Sequence, residues 1–358
     1  MRRILREDGS ESPLATISNL KLSAVLDEIQ GDCMSFGVVD FLRWFRPFRR
    51  LERENLHLRT DLQAEVTRLT AELDQERKNS IEWRRFFPPG HFYSPMPSSE
   101  EVADAFARGG FGPPFGGIDL NEKGQFALLQ SFTGYYAEQP FPENPAQGRR
   151  FFLSNDSYGH FDAIMLYCML RHARPRRIIE VGSGLSSAAM LDIDELTLGG
   201  RVEFTFIDPD MTRLRPLLRE PDAARVKLLA QRVQEVPLEV FAALQENDVL
   251  FIDSSHVSKV GSDVNRLYFD VLPVLAPGVL IHIHDITGSL EYPRDWLESG
   301  RVWNEQYLLR AFLMHNKNYR IELFTSWLSD TQHQWMGEHM PLCVRGGGGQ
   351  MWLRKLAR

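Results

Sequence analysis

The spacing of apolar positions changes three times along this 358-residue chain. Between 50 and 80 there is no proline or glycine. Leu51, Asn55, Leu58 and Leu62 step by four, three and four, and Val66, Leu69 and Leu73 by three and four. The step of four from Leu62 to Val66 is a stutter in a heptad pattern. A short coiled coil is predicted within 47–85, with Asn55 at a polar a-like position that favours one register. It implies a homo-oligomer, in the simplest case a dimer. The competing expectation is an amphipathic helix lying on the body of its own chain.

Residues 86–154 are rich in proline, glycine and aromatics, as in Phe86-Phe87-Pro88-Pro89-Gly90. Turns and short elements fit such a run. It reads as an irregular connecting subdomain that walls one side of a site. From 155 to 358 the period becomes that of alternating helices and strands. A helix at 158–173 leads to a strand at 177–181, and further strands follow at 202–207, 226–230, 248–253 and 278–284. This is the grammar of an α/β domain with a mainly parallel sheet. Gly346 to Gly349 read as a loop or hairpin before Gln350-Met351-Trp352-Leu353-Arg354-Lys355, which alternates like an edge strand.

Residues 1–46 form a poorly patterned segment. The adjoining run from Phe41 to Arg50 mixes aromatics and arginines. It suits a short helix packed on protein, with peripheral docking on an anionic membrane as the alternative.

The apolar share of 43% and charged share of 25% are those of an ordinary globular protein. The net charge of −7 argues against a general nucleic-acid binder. Cys33, Cys168 and Cys343 are widely spaced and form no disulfide framework or paired metal motif, so a reducing cytoplasm is expected. The first residues lack a signal-peptide core, and no apolar run is long enough for a transmembrane helix.

Chemistry concentrates at predicted strand ends. Glu180-Val181-Gly182-Ser183-Gly184 joins an apolar strand to a helix start through a glycine turn. Ser187 stands where a dinucleotide fingerprint has its third glycine, which weakens a nicotinamide reading. An acidic residue two positions before the first glycine suits a nucleoside carrying an amino-acid tail, and so S-adenosylmethionine. Glu180, Gly182, Ser183, Gly184 and Ser187 are the expected contacts of this turn. Asp208 ends the next strand, one strand–helix–strand unit later, where a carboxylate can accept both ribose hydroxyls. Asp253 and His256 follow the fourth strand, and His284 and Asp285 the fifth. Three uses compete for these four: a divalent metal site, a general base from His256 or His284, or structural hydrogen bonding. His282 is expected to be a hydrogen-bonded structural histidine.

The chain resembles the class I S-adenosylmethionine-dependent methyltransferases, and within them the group labelled methyltransferase family 24. The motifs are EVGSG at 180–184, FIDPD at 206–210, FIDSSH at 251–256 and LPVLAPGVLIHIHDI at 272–286. The resemblance implies a seven-stranded Rossmann-like sheet. It implies that Glu180, Gly182 and Gly184 line the methionine side of the cofactor and that Asp208 holds the ribose. Arg232, Val233 and Gln234 would then lie near the adenine. Related sugar O-methyltransferases hold magnesium with an aspartate after the fourth strand and an acidic pair after the fifth. Asp253 and Asp285 match two of those places, and His284 stands where a glutamate would be, which permits a softer metal, or none, in place of magnesium. The implied metal set is therefore Asp253, His284 and Asp285. Asp253 also borders the cofactor, and the catalytic set is His256, His284 and Asp253. The expected reaction is O-methylation of a small-molecule or carbohydrate-like hydroxyl. The aromatic insertion from Tyr292 to Tyr307 would form either a lid over the acceptor or a cap packed on the sheet. Alternatives are N-methylation, a cofactor-binding assembly protein without turnover, and a nicotinamide-dependent oxidoreductase.

Overall fold

The computed structural model describes residues 55–75, 87–109, 111–346 and 348–357. The expectations for 1–46, for the run from Phe41 to Arg50, for Leu51 and for Cys33 lie outside the described residues. Residues 55–75 are one helix. Leu58, Leu62, Val66, Leu69 and Leu73 run along it, each between 45% and 69% exposed. Arg68 braces it through ion pairs to Glu65 and Glu72.

The rest of the described chain is built on a seven-stranded sheet. Its strands are β1 (Arg177–Val181), β2 (Glu203–Ile207), β3 (Val226–Leu229), β4 (Val249–Ile252), β5 (Leu280–Ile283), β6 (Tyr319–Phe324) and β7 (Met351–Lys355). The spatial order is β3-β2-β1-β4-β5-β7-β6. The first five strands are parallel, and β7 runs antiparallel to both β5 and β6. Every residue of β4 and β5 is buried. These strands are covered on both faces, which is why they read as continuous apolar runs rather than alternating ones.

Two expectations need correction here. The last strand is not at the edge. β7 is inserted between β5 and β6, and Met351, Trp352 and Leu353 are fully buried. The edge belongs to β6, which the apolar pattern did not single out. The segment before the sheet is also less separate than its composition implies. It contains helices Ser99–Arg108, Glu122–Ser131 and Thr133–Ala137. Its Phe115, Leu129, Phe132, Phe141 and Phe151 join the same hydrophobic core as the strands.

Helix α1 (His160–Ala173) is buried through most of its length and covers one face of the sheet. Helix α2 (Leu185–Ile193) follows the glycine turn and is almost wholly buried. Such all-round apolarity marks core helices rather than surface ones. A buried ionic knot ties the incoming chain to α2. Arg150, 2% exposed at its side chain, pairs with Asp192, Glu195 and Asp222 at 2.6–2.9 Å. Asp192 also accepts the Arg150 and Phe151 N–H groups. A buried guanidinium is tolerable only because every face meets a carboxylate or carbonyl.

The order of β1, β2 and β4 reverses the direction of winding beside β1. In open α/β sheets the crevice at such a reversal, beyond the carboxyl ends of the strands, is where ligands bind.

Candidate active site

A cavity of about 600 Å³ opens there, within the usual range for small-molecule pockets. Gly182, Gly184, Asp208, Val233, Asp253 and Tyr158 are among its walls. The two glycines serve different ends. Gly182 has φ +86°, and a Cβ there would lie 1.7 Å from the Asp253 carbonyl oxygen. Its N–H donates to the Ile207 carbonyl at 3.0 Å. The turn is thus wedged between the ends of β2 and β4, and only glycine fits. A Cβ on Gly184 would meet nothing within 4 Å, so glycine there leaves the cavity open.

Asp208 accepts the Ser183 N–H on one oxygen at 2.9 Å and the Asp210 N–H on the other at 2.8 Å. Each oxygen keeps a lone pair for a further donor. Ser183 lines the cavity, as do Arg232, Val233 and Gln234. Glu180 and Ser187, two expected contacts, stand behind the wall instead, both fully buried. The Ser186 hydroxyl donates to Glu180 at 2.6 Å, and the Ser187 hydroxyl donates to its other oxygen. Ser187 Oγ in turn accepts the Gly184 N–H at 3.0 Å. The pair shapes the turn from inside the fold. Burial pushes the Glu180 carboxyl up to about 8, against the lowering effect of the two serines.

The second half of the rim lies beyond β4 and β5. His256 is its centre. Nδ1 of His256 is 2.9 Å from Glu305, while Nε2 lies 3.4 Å from Asp253 and 3.3 Å from Asp285. Among the described residues, Asp253, His256 and Asp285 offer ligand atoms all within 4.8 Å of one another, as a metal site requires. His256 and Asp285 both adopt left-handed backbone, φ 57° and 56°. This conformation is sparsely populated outside glycine, and neighbouring structure must hold it. Burial opposes charge on His256, yet Asp253, Glu305 and Asp285 outweigh it and raise the imidazole to about 10. Burial likewise disfavours ionised Asp253, but His284 and His256 hold its carboxyl below the ordinary value.

The structure brings His256, not His284, into this group. Alternation along β5 puts His284 on the face of His282, with the two rings stacked 5.5 Å apart and Tyr158 5.2 Å from His284. Nδ1 of His284 has no hydrogen-bond partner among the described residues, and its Nε2 is 4.0 Å from Asp285. His282 departs from expectation as well. Neither of its ring nitrogens has a hydrogen-bond partner among the described residues. It stacks flat on Phe251 at 3.8 Å, and burial keeps it neutral.

A family model described as a methyltransferase domain matches residues 179–286, the span from the glycine turn to Asp285. A protein of Archaeoglobus fulgidus described as uncharacterized is 33% identical over 171 residues, 46% of this chain and 76% of the relative. The chain belongs to the class I S-adenosylmethionine-dependent methyltransferases. Solved structures of similar fold include the SAH-bound Podospora anserina methyltransferase PaMTH1. It is 14% identical, with 73% of this chain and 97% of that one covered and a TM-score of 0.37. Another is the O-methyltransferase TomG from Streptomyces achromogenes in complex with SAM. It is 13% identical, covering 65% and 90%, with a TM-score of 0.35. The assignment rests on the matched domain, not on these two overlays.

One residue of the methyltransferase rim escaped sequence reasoning. Glu305 is fully buried, and burial raises its carboxyl while His256 opposes the rise. It opens helix α3 (Glu305–Leu313). Three consecutive residues at this helix start clip the two loops of the rim. Asn304 accepts the Ser258 N–H at 2.6 Å, Glu305 holds the His256 ring, and Gln306 accepts the Thr287 hydroxyl at 3.0 Å. The His256 carbonyl accepts both the Asn304 and Glu305 N–H groups. The signal available in sequence was an Asn-Glu-Gln run after the aromatic insertion, but nothing local links it to a histidine 49 positions earlier. The insertion itself places Trp303 4.5 Å from His256 and Trp296 5.3 Å from Trp303, with the Arg301 guanidinium over both indoles.

Proposed function

We propose that this methyltransferase transfers the methyl group of S-adenosylmethionine to the oxygen of a small-molecule or carbohydrate-like hydroxyl. The observation that carries the proposal is His256, held between Glu305 and two carboxylates, one of which, Asp253, lines the cofactor cavity. Methyl transfer to a hydroxyl needs the acceptor aligned in line with the sulfonium and its proton removed. An amine acceptor has less need of such a base, so this arrangement favours oxygen over nitrogen and catalysis over mere binding.

In this reading the Gly182–Gly184 turn takes the methionine end of the cofactor, Asp208 the ribose and Val233 the adenine edge. Glu305 fixes the ring of His256 by accepting from Nδ1, the role of an orienting carboxylate. That leaves Nε2 aimed at Asp253 and Asp285, whose charges hold a proton on it while no cation binds them. The oxygen-rich donor set fits a divalent ion such as magnesium or a transition metal, held by Asp253 and Asp285. Such an ion supplies Lewis-acid stabilisation of a developing alkoxide. Were those carboxylates to hold an ion, Glu305 alone would still favour the protonated ring, and Nε2 of His256 would be the atom that takes the acceptor proton. Trp303, Trp296 and the exposed Arg301 offer a flat wall for the acceptor ring. His284 serves as a neighbour that keeps Asp253 ionised.

Incubating the protein with S-adenosylmethionine and a panel of glycosides, phenols and amines, with magnesium or manganese and with chelator, tests this. S-adenosylhomocysteine release with a hydroxyl acceptor is expected, and His256→Ala should lower turnover by about 10²–10⁴. Turnover confined to amines, or full turnover by His256→Ala, would sink the proposal.

The exposed stripe of the 55–75 helix supports pairing with a second copy of the chain, since one apolar seam between braced polar flanks is what a coiled-coil dimer buries. Among the described residues no helix is long and apolar enough to cross a membrane. Cys168 and Cys343 are free and buried, in keeping with a cytoplasmic setting.

A further inference from the structure

Asp285 owes its left-handed backbone to something, and its own loop does not explain it. The Gly349 carbonyl accepts the Ile286 N–H at 2.9 Å. A Cβ on Gly349 would lie 3.5 Å from both N and Cα of Asp285, so the chain entering β7 lies flat against that residue. The Gly349 N–H, on the other side, donates to the Asp162 carboxylate at 2.9 Å. Asp162 sits in the first turn of α1, an element with no part in the cofactor turn or in the clips at α3. Its own carbonyl accepts the Gln350 side-chain amide at 2.6 Å, and the same amide reaches the Tyr158 hydroxyl at 3.2 Å. Gln350 is fully buried, and its oxygen accepts the Trp352 indole N–H at 2.8 Å. Gly349 itself is held by two bonds, from its N–H to Asp162 and from Ile286 to its carbonyl, while the Gln350 side chain anchors the next residue.

We propose that Asp162 is a positioning residue: it holds Gly349 so that the Gly349 carbonyl pins Ile286 and fixes Asp285 with its carboxylate turned to His256. A carboxylate is an economical choice for this task. Burial raises the Asp162 carboxyl, and the His284 charge together with the Gly349 N–H opposes only part of that rise. The role rests on the reading of Asp285 as a member of the catalytic rim. It predicts that Asp162 acts on that rim and not on the cofactor cavity, which it does not line.

The test compares Asp162→Ala, Asp162→Asn and Asp162→Glu in the full chain. Amide hydrogen exchange is followed in peptides covering Ile286 and Gly349, with Mn²⁺ and S-adenosylmethionine binding followed by calorimetry. Asp162→Ala should speed exchange at Ile286 about tenfold and weaken Mn²⁺ about tenfold, the loss expected of one buried hydrogen bond. S-adenosylmethionine affinity should stay within about twofold. Asp162→Asn keeps an accepting oxygen and should restore Ile286 protection. Asp162→Glu keeps the charge but displaces the oxygen, so it should behave like Asp162→Ala, and it decides the matter if the alanine variant does not fold. Unchanged exchange at Ile286 in folded Asp162→Ala or Asp162→Glu, or an equal loss of both ligands, would overturn the role. If the unaltered protein binds no Mn²⁺, the cation reading fails by itself, while Ile286 exchange still judges Asp162.

Discussion

The two halves of the catalytic rim are built differently. Beyond β1 and β2 the wall is mostly backbone, with a wedged glycine and one aspartate holding two N–H groups. Its parts lie close together in sequence. Beyond β4 and β5 the wall is made of side chains from loops and from α3, including two residues in left-handed backbone and one fully buried glutamate. Binding a common cofactor asks for space and a few fixed dipoles. Moving a proton asks for charges balanced against one another, and those must converge from distant elements.

The sharpest way to break this contrast is at the glycine turn. Gly182→Ala should destabilise the fold by at least about 3 kcal/mol, through left-handed strain and overlap with the Asp253 carbonyl. Gly184→Ala should leave the unfolding midpoint nearly unchanged and weaken S-adenosylmethionine instead. Equal denaturation midpoints for the two variants would refute the division of labour between them. A smaller effect should separate the halves. Glu305→Gln is expected to lower kcat about 10–100-fold with cofactor affinity kept, as for other groups that orient a reactive imidazole. Asp208→Asn should do the reverse, costing about tenfold in cofactor affinity through weaker charge-assisted bonds. Calorimetry and turnover on both variants would show whether the effects cross; parallel losses would merge the two halves into one.

The smallest effect is a pH dependence. Glu180 has a folded value near 8, above its ordinary 4.5, so the folded state keeps a proton that the unfolded chain has lost. That contribution is fully present below about 4.5 and lost as pH rises through about 8. Between roughly pH 6 and 8 the metal- and cofactor-free protein should lose on the order of 2 kcal/mol from this group. Glu180→Gln should flatten that part of the stability curve. A slope that survives the substitution would assign it to other groups.

The same contrast explains what was legible in the sequence. The strands from β1 to β5, the turn at Gly182 and the placing of Asp208 at the end of β2 follow from local period and short spacing. So does the placing of Asp253, His256 and Asp285 at strand ends. The choice of His256 over His284 was not legible, because it depends on which face of β5 each side chain takes after the strand ends. Glu180 and Ser187 were expected at the cofactor because they belong to its motif, yet they act one layer deeper. Asp162 had no local signal, and the Asn-Glu-Gln run around Glu305 pointed to no partner, since each gains its meaning from a contact made across the fold. β7 alternated as an edge strand should, and only its pairing on both sides shows that it is interior.

That interior position also sets an order of events during synthesis. β5 and β6 are both made before the strand that separates them. Until β7 arrives, neither can pair on that side, and Gly349 is not yet in place against Asp285. Gly182 and Asp208 lie at the ends of strands made before β7, whereas the contact of Gly349 with the Asp285 loop can be made only once the chain entering β7 is in place.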